Sequence, residues 1–154
     1  MAITSSLVNT FKAELLSGLH SFNASGDTPA GSSFKIALYT SSTTIDTTTT
    51  AYGGPTNEVA SGGGYTTGGN ALTNTGVGTT TVTSFTDFSD TSWTSASFTA
   101  RGCLIYNSST ITGLTTNAAV CGIDFGGDKT VSSGTFTIQF PTNDASDAII
   151  RITS

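Results

Sequence analysis

Charge is scarce in this sequence. Only 5 of its 154 residues are Lys or Arg and 10 are Asp or Glu, so charged side chains make up 10% of the chain, against about a quarter in an ordinary soluble domain. The five cations (Lys12, Lys35, Arg101, Lys129 and Arg151) are scattered. They form none of the basic stripe that binding to nucleic-acid phosphates requires, so no nucleic-acid partner is expected. There is one His, so a multi-His metal centre cannot be built. No apolar run reaches membrane-spanning length, and no membrane partner is expected. The opening MAITSSLVNTFKAELL has neither the basic start nor the clean apolar stretch of a secretion signal, which predicts synthesis in a cytoplasm and retention there or release by lysis. Low charge also argues against disorder, which pairs weak hydrophobicity with high net charge.

What is abundant is hydroxyl and glycine. Thr and Ser supply about a third of the chain, and Gly adds 18 residues. Thr is β-branched and favours strands, while Gly favours turns. The expected fold is all-β, a β-sandwich or jelly-roll-like antiparallel domain with one short N-terminal amphipathic helix. At this length it is one domain with a core of its own. The predicted organisation is a helix over about 5–22, a linker over 23–33 and a β body over 34–153.

The helix rests on Leu7, Phe11, Leu15, Leu19 and Phe22, which recur at three- and four-residue steps and make one stripe. Ser5 or Ser6 is placed to cap its start. The stripe predicts packing either on this domain or on another subunit, with its own domain favoured. SFKIALYT alternates and reads as a half-buried strand. Further strands are predicted over 71–73, 77–85, 93–100, 102–107, 118–125, 134–140 and 148–153, separated by Gly, Ser and Asn turns, which is sandwich-like spacing.

The stretch EVASGGGYTTGGNAL, residues 58–72, invites comparison with a phosphate-binding loop. Such a loop needs a Lys in GxxxxGK[ST], and a dinucleotide fingerprint needs a following helix. Here the Lys is missing and the next residues are strand-like, so the glycines are expected to shape a turn. Asp124-Phe125-Gly126 spells a kinase metal triplet without any kinase context. It reads instead as a strand end with the turn at Gly126-Gly127. The lone His20, placed near the end of the helix, is expected to meet the helix C-terminus favourably. No catalytic, cofactor-binding or metal-binding residues are expected.

Cys103 and Cys121 fall in neighbouring strands, symmetric about Thr112. A hairpin turning there would set them opposite each other within disulfide range. Two buried free thiols are the other reading, favoured for a protein made in a cytoplasm.

Several segments taken in order carry a resemblance. They are the end of the helix at Gly18-Leu19-His20-Ser21-Phe22, then FKIALYTSSTTID, NEVASGGGYTTGGNAL, TSWTSASFTARGCLIYN, IDFGG, SGTFTIQFP and a closing AIIRI. The series resembles a family of small β-rich virion structural proteins of tailed bacteriophages and spans nearly the whole chain. The resemblance implies a capsid decoration, or cement, protein on the exterior of the head, without an enzyme active site. It also implies the major capsid protein and further copies of itself, as a homotrimer, for partners. The alternatives are a tail, baseplate or head–tail connector component, or a receptor- or carbohydrate-binding module using Tyr52, Tyr65 and Trp93. Net charge of −5 suits a position away from packaged DNA. Partner contacts are expected on the loop over 43–56, with Thr48 and Tyr52, and on Leu7, Phe11 and Leu15 of the stripe.

Overall fold

The computed structural model describes residues 2–54 and 56–154. It is an all-β domain of antiparallel sheets with one short N-terminal helix. In chain order the elements are β1 (Ser6–Leu7), α1 (Asn9–Leu16), β2 (Phe34–Tyr39), β3 (Asn70–Leu72), β4 (Asn74–Thr79), β5 (Thr83–Phe88), β6 (Thr91–Asn107), β7 (Ala118–Ile138) and β8 (Ile150–Thr153). One sheet has the order β1-β7-β6-β2-β3 and the other the order β4-β5-β8.

The helix is shorter than its apolar stripe predicts. Leu7 lies in β1, opposite Cys121 of β7. Neither serine caps the helix: the N-cap position is Val8, with no side-chain bond, and the Ser5 hydroxyl accepts the Asp124 N–H at 2.9 Å. Gly18 ends the helix. With φ at 73°, its N–H reaches the Leu15 carbonyl at 3.0 Å while the Leu19 N–H reaches that of Glu14 at 3.0 Å. This is a Schellman motif, which satisfies carbonyls the helix would otherwise orphan. Leu19, His20 and Phe22 therefore lie beyond the helix, and the stripe is consumed by the domain itself. Phe11 is fully buried and Leu15 packs against the core.

Strand boundaries also differ from the sequence reading: the strands expected over 93–100 and 102–107 are one, β6. Residues 77–85 span a hairpin rather than a strand, since β4 ends at Thr79 and β5 begins at Thr83. The Thr80 N–H closes that turn on the Thr83 carbonyl at 2.8 Å. Conversely, the segments predicted as strands 118–125 and 134–140 belong to one long strand through Ile138, and Gly126-Gly127 is not a chain reversal. The local glycine signal marks an irregularity instead. From Ala100 to Gly102 β6 advances two residues, while its partner positions on β7 run from Lys129 to Asp124, five residues. The surplus is accommodated as a bulge, which bends the ribbon and increases its twist.

Two rows of rings make up much of the core. One runs Phe11, Phe22, Phe34, Phe88, Phe140, with successive centroids 6.0, 4.6, 5.4 and 5.7 Å apart. It ties the helix to β2, and β2 across to β5 of the second sheet. The other runs Tyr65, Trp93, Phe98, Phe136, Phe125, at 5.9, 6.5, 5.2 and 6.2 Å. Each fully buried ring of this size contributes about 1.5–3 kcal/mol through area removed from water.

Candidate functional site

The glycine-rich stretch spends its polar groups on itself. The Tyr65 and Gly62 backbones exchange hydrogen bonds at 3.0 and 2.9 Å, and the Gly69 N–H reaches the Thr66 carbonyl at 2.9 Å. The Thr67 N–H donates to the Ser61 hydroxyl at 2.9 Å. The Gly68 N–H donates to Glu58 Oε1 at 2.7 Å. These amides are unavailable to an anion, and the carboxylate at their centre would repel one. Glycine is required at Gly63, where φ is 51° and an added Cβ would meet the Ser97 carbonyl. That carbonyl belongs to β6, whose Ser97 N–H donates to the Gly63 carbonyl at 2.9 Å. The loop is thus stitched backbone to backbone onto β6, where the β6–β7 register shifts.

Glu58, 6% exposed, gathers the tyrosines around it. Its Oε1 accepts the Tyr65 hydroxyl at 2.6 Å and its Oε2 the Tyr52 hydroxyl at 2.8 Å. Tyr65 in turn accepts the Leu38 N–H at 2.9 Å. Tyr52 stacks on Tyr106 at 4.6 Å, and the Tyr106 hydroxyl donates to the Gly68 carbonyl at 2.8 Å. Burial, reinforced by the Glu58 charge, raises the phenol of Tyr106 to about 12 and those of Tyr39, Tyr52 and Tyr65 further. These phenols remain neutral, and the hydroxyls of Tyr52, Tyr65 and Tyr106 donate within the cluster and clamp the loop.

His20 has no ring nitrogen to offer a substrate. Its Nε2 lies 3.1 Å from Glu14 Oε2 and its Nδ1 lies 3.1 Å from Asn107 Nδ2. Asn107 Oδ1 accepts the Ser109 N–H at 2.9 Å, which fixes the amide so that its nitrogen faces the imidazole. That assigns the proton to Nε2 and the acceptor role to Nδ1. Burial lowers the His20 pKa more than Glu14 raises it. The ring sits beside Phe11 at 4.9 Å, beyond the helix, as a polar pin between three segments. Among the described residues no group of three or more His, Cys, Asp and Glu is placed to hold a metal ion.

The residues expected to touch partners are scattered. Phe11 is fully buried and cannot present itself to one. Leu15 and Tyr52 are half-buried against the core. Thr48 is exposed and bonds through both its N–H and its hydroxyl to Asp46 Oδ1, at 2.7 and 2.6 Å. Tyr65 and Trp93 are 2% and 3% exposed, which removes two of the three rings that a carbohydrate platform would need. Cys103 pairs with Ile123 and Cys121 with Ile105. The midpoint of the register is Gly113 rather than Thr112, so the cysteines are diagonal, not opposite. Diagonal neighbours stand about 7–8 Å apart, beyond easy bridging, and both are buried free thiols.

Of the expected contact residues, Leu7 alone lines an apolar surface cleft of about 790 Å³. Its floor is Cys121–Ile123 of β7. One wall is Ser5–Leu7, and the other is made by Phe125, the run Phe136–Pro141 and Ile149. Both rows of rings end here, at Phe140 and at Phe136 and Phe125. These residues are only partly buried, because the cleft lies at a flank where each sheet ends. β1 closes the five-stranded sheet and β8, which follows Ile149, closes the three-stranded one. Lys129 is the single charged residue among those lining the cleft.

The cleft was not legible from sequence. The alternation of Phe136, Ile138 and Phe140 identifies an apolar face, but the same pattern describes a filled core and an open groove. No family model, curated protein or solved structure matches this chain.

Proposed function

We infer that this protein is a non-catalytic structural component of a tailed-bacteriophage particle, a decoration protein on the outside of the head. The observation that carries the assembly role is the apolar cleft of about 790 Å³ at the open flank of the two sheets. Contiguous apolar surface of this kind marks a place where another molecule packs. The polar groups elsewhere that resemble chemistry, at His20 and Glu58, are occupied by partners within the fold.

The phage assignment rests on the ordered series of segments that resemble small virion proteins. Those segments coincide with structural units: FKIALY is β2, TSWTSASFTARGCLIYN is β6, and both IDFGG and SGTFTI lie in β7. A decoration protein stabilises a shell by binding the mature lattice in preference to the immature one, through mass action. Hydroxyl-rich, weakly charged surfaces suit such wet, polar contacts.

Quantitative mass spectrometry of purified particles tests the reading. Hundreds of copies per particle are expected for a head protein. A handful or a few dozen would place it in the tail, baseplate or connector, and absence from the particle would sink the proposal.

A further inference from the structure

The cleft is bounded by backbone as well as by side chains. Phe136 through Pro141 line it consecutively, as do Ser5–Leu7 and Cys121–Ile123. β7 ends at Ile138, and within it alternate side chains point to opposite faces, so the unbroken run Phe136–Ile138 means that the end of this strand presents its edge to the cleft. That edge is open. β1 pairs with β7 only at Gly122 and Cys121, and the Ser5 hydroxyl takes the Asp124 N–H. From Phe125 to Ile138, β7 has β6 on one side and, among the described residues, no strand on the other. β8 is likewise paired on one side alone, with β5. Unpaired edges of this kind are templates for an added strand.

We propose that the cleft receives one extended segment of a different polypeptide, added as a strand along the free edge of β7 near Phe136–Ile138. Its alternate apolar side chains fill the space between Phe125, Phe136, Ile138 and Ile149, and an acidic side chain meets Lys129. The charge follows from the lining: Lys129 is exposed, no carboxylate faces it across the cleft, and no ion pair engages it among the described residues. A second copy of this chain would not enter with its terminal segments or with the strands that carry Val77 and Ile152, and edge-to-edge pairing of two copies is the outcome that the crosslink below separates. Ile3 is bridged to Ile45 near the start of the chain, and β8 near its end is held by β5. The exposed apolar Val77 and Ile152 lie in paired strands. None of these segments is free to leave its sheet. Naming the source as a neighbouring protein of the particle rests on the virion reading above; strand addition itself does not.

Two measurements test this. The first uses the full chain with two fluorescent probes, short peptides of alternating Val and Thr carrying either one Glu or one Lys. The Glu peptide is expected to bind, with slowed amide exchange at whichever of Thr137 and Ile138 turns its N–H away from β6, and Lys129→Glu should weaken it about fivefold or more while favouring the Lys peptide. Binding of neither peptide, binding insensitive to the charge swap, or occupation of the cleft by dodecanoate alone would overturn the proposal. The second places a photocrosslinker on Gln139→Cys, where labelling is selective because both native thiols are buried. In purified particles the crosslink should reach another polypeptide; a crosslink to a second copy of this chain would overturn the proposal. If the protein is absent from particles, the virion reading falls while the peptide result still decides the strand-addition site.

Discussion

Glu58 Oε1 and the backbone N–H of Gly68 lie 2.7 Å apart, across the glycine-rich loop. The bond makes one buried carboxylate the anchor of the whole stretch, because the same oxygen takes the Tyr65 hydroxyl and its twin takes that of Tyr52. Removing the acceptor strands three donors, two of them, the Tyr65 hydroxyl and the Gly68 N–H, in buried bonds. Glu58→Ala should therefore cost roughly 3 kcal/mol or more, read as a lower urea midpoint with an unchanged slope. Glu58→Gln keeps one carbonyl acceptor and should lose less. Equal losses for the two variants would mean that the cluster contributes through packing alone.

Gly63 and Gly18 both hold positive φ, at 51° and 73°, but only Gly63 also presses on a neighbouring backbone; an added Cβ at Gly18 meets open space. Gly18→Ala should cost about 1 kcal/mol, the conformational penalty alone. Gly63→Val adds a β-branched side chain against the Ser97 carbonyl of β6 and should cost about 3 kcal/mol, lowering the melting temperature by roughly 10 °C. No nucleotide should raise the melting temperature of either form. Thermal unfolding of the two variants side by side separates strain from collision.

How far the sequence reached can be judged from these same residues. Composition and alternation were enough for the fold class, since Thr-rich strands and glycine turns admit little else. The missing Lys was enough to discard a phosphate cradle. The loop's actual anchor was not visible, because Glu58 reaches Tyr52 and Tyr65 only after the chain has folded and nothing in the local pattern marks it. The helix was overextended for a related reason: Leu7 and Phe22 keep helical spacing but are drawn to the core from a strand and a loop. Gly18, which ends the helix, carried the local signal that the stripe outweighed. The cleft depends on where two sheets stop, a long-range property that periodicity within a strand does not contain.

Cys103 and Cys121 should behave as core residues. Burial raises both thiols, that of Cys121 to about 12 with a further push from the Asp87 carboxylate, and that of Cys103 well above its ordinary value. Thiolate is the reactive form, so neither should react with a thiol reagent at neutral pH until the protein is unfolded, when two should react without prior reduction. Cys103→Ala should cost about 1 kcal/mol. Cys103→Ser should cost more, since the site supplies apolar contact rather than a partner for a hydroxyl. Rapid labelling of the native protein would show that the strands around Gly113 open.

His20 gives the fold a dependence on mild acid, and its sign follows from the bonds it makes. Burial holds the folded pKa below the ordinary 6.5, despite the opposing pull of Glu14, and the proton of an imidazolium would point Nδ1–H at the Asn107 amide nitrogen. The unfolded chain therefore binds the proton more readily, and stability rises with pH wherever that is so. The contribution is complete above 6.5 and is lost as pH falls from there through the folded value. Glu14 has the same sign lower down: burial raises it, but hydrogen bonds from Thr115 and His20 prevail and hold it below 4.5. Asp87 works the other way, because burial raises its carboxyl above 3.8 despite the Phe88 and Ile149 N–H groups it accepts. Melting temperatures of the wild type and His20→Gln, measured from neutral pH down to about 4.5, isolate the imidazole by difference. The wild type should lose its advantage progressively below 6.5. Because His20 is the single histidine of the chain, its ring resonances report the same titration directly, and a midpoint at or above 6.5 would contradict the assignment of a neutral, Nε2-protonated ring.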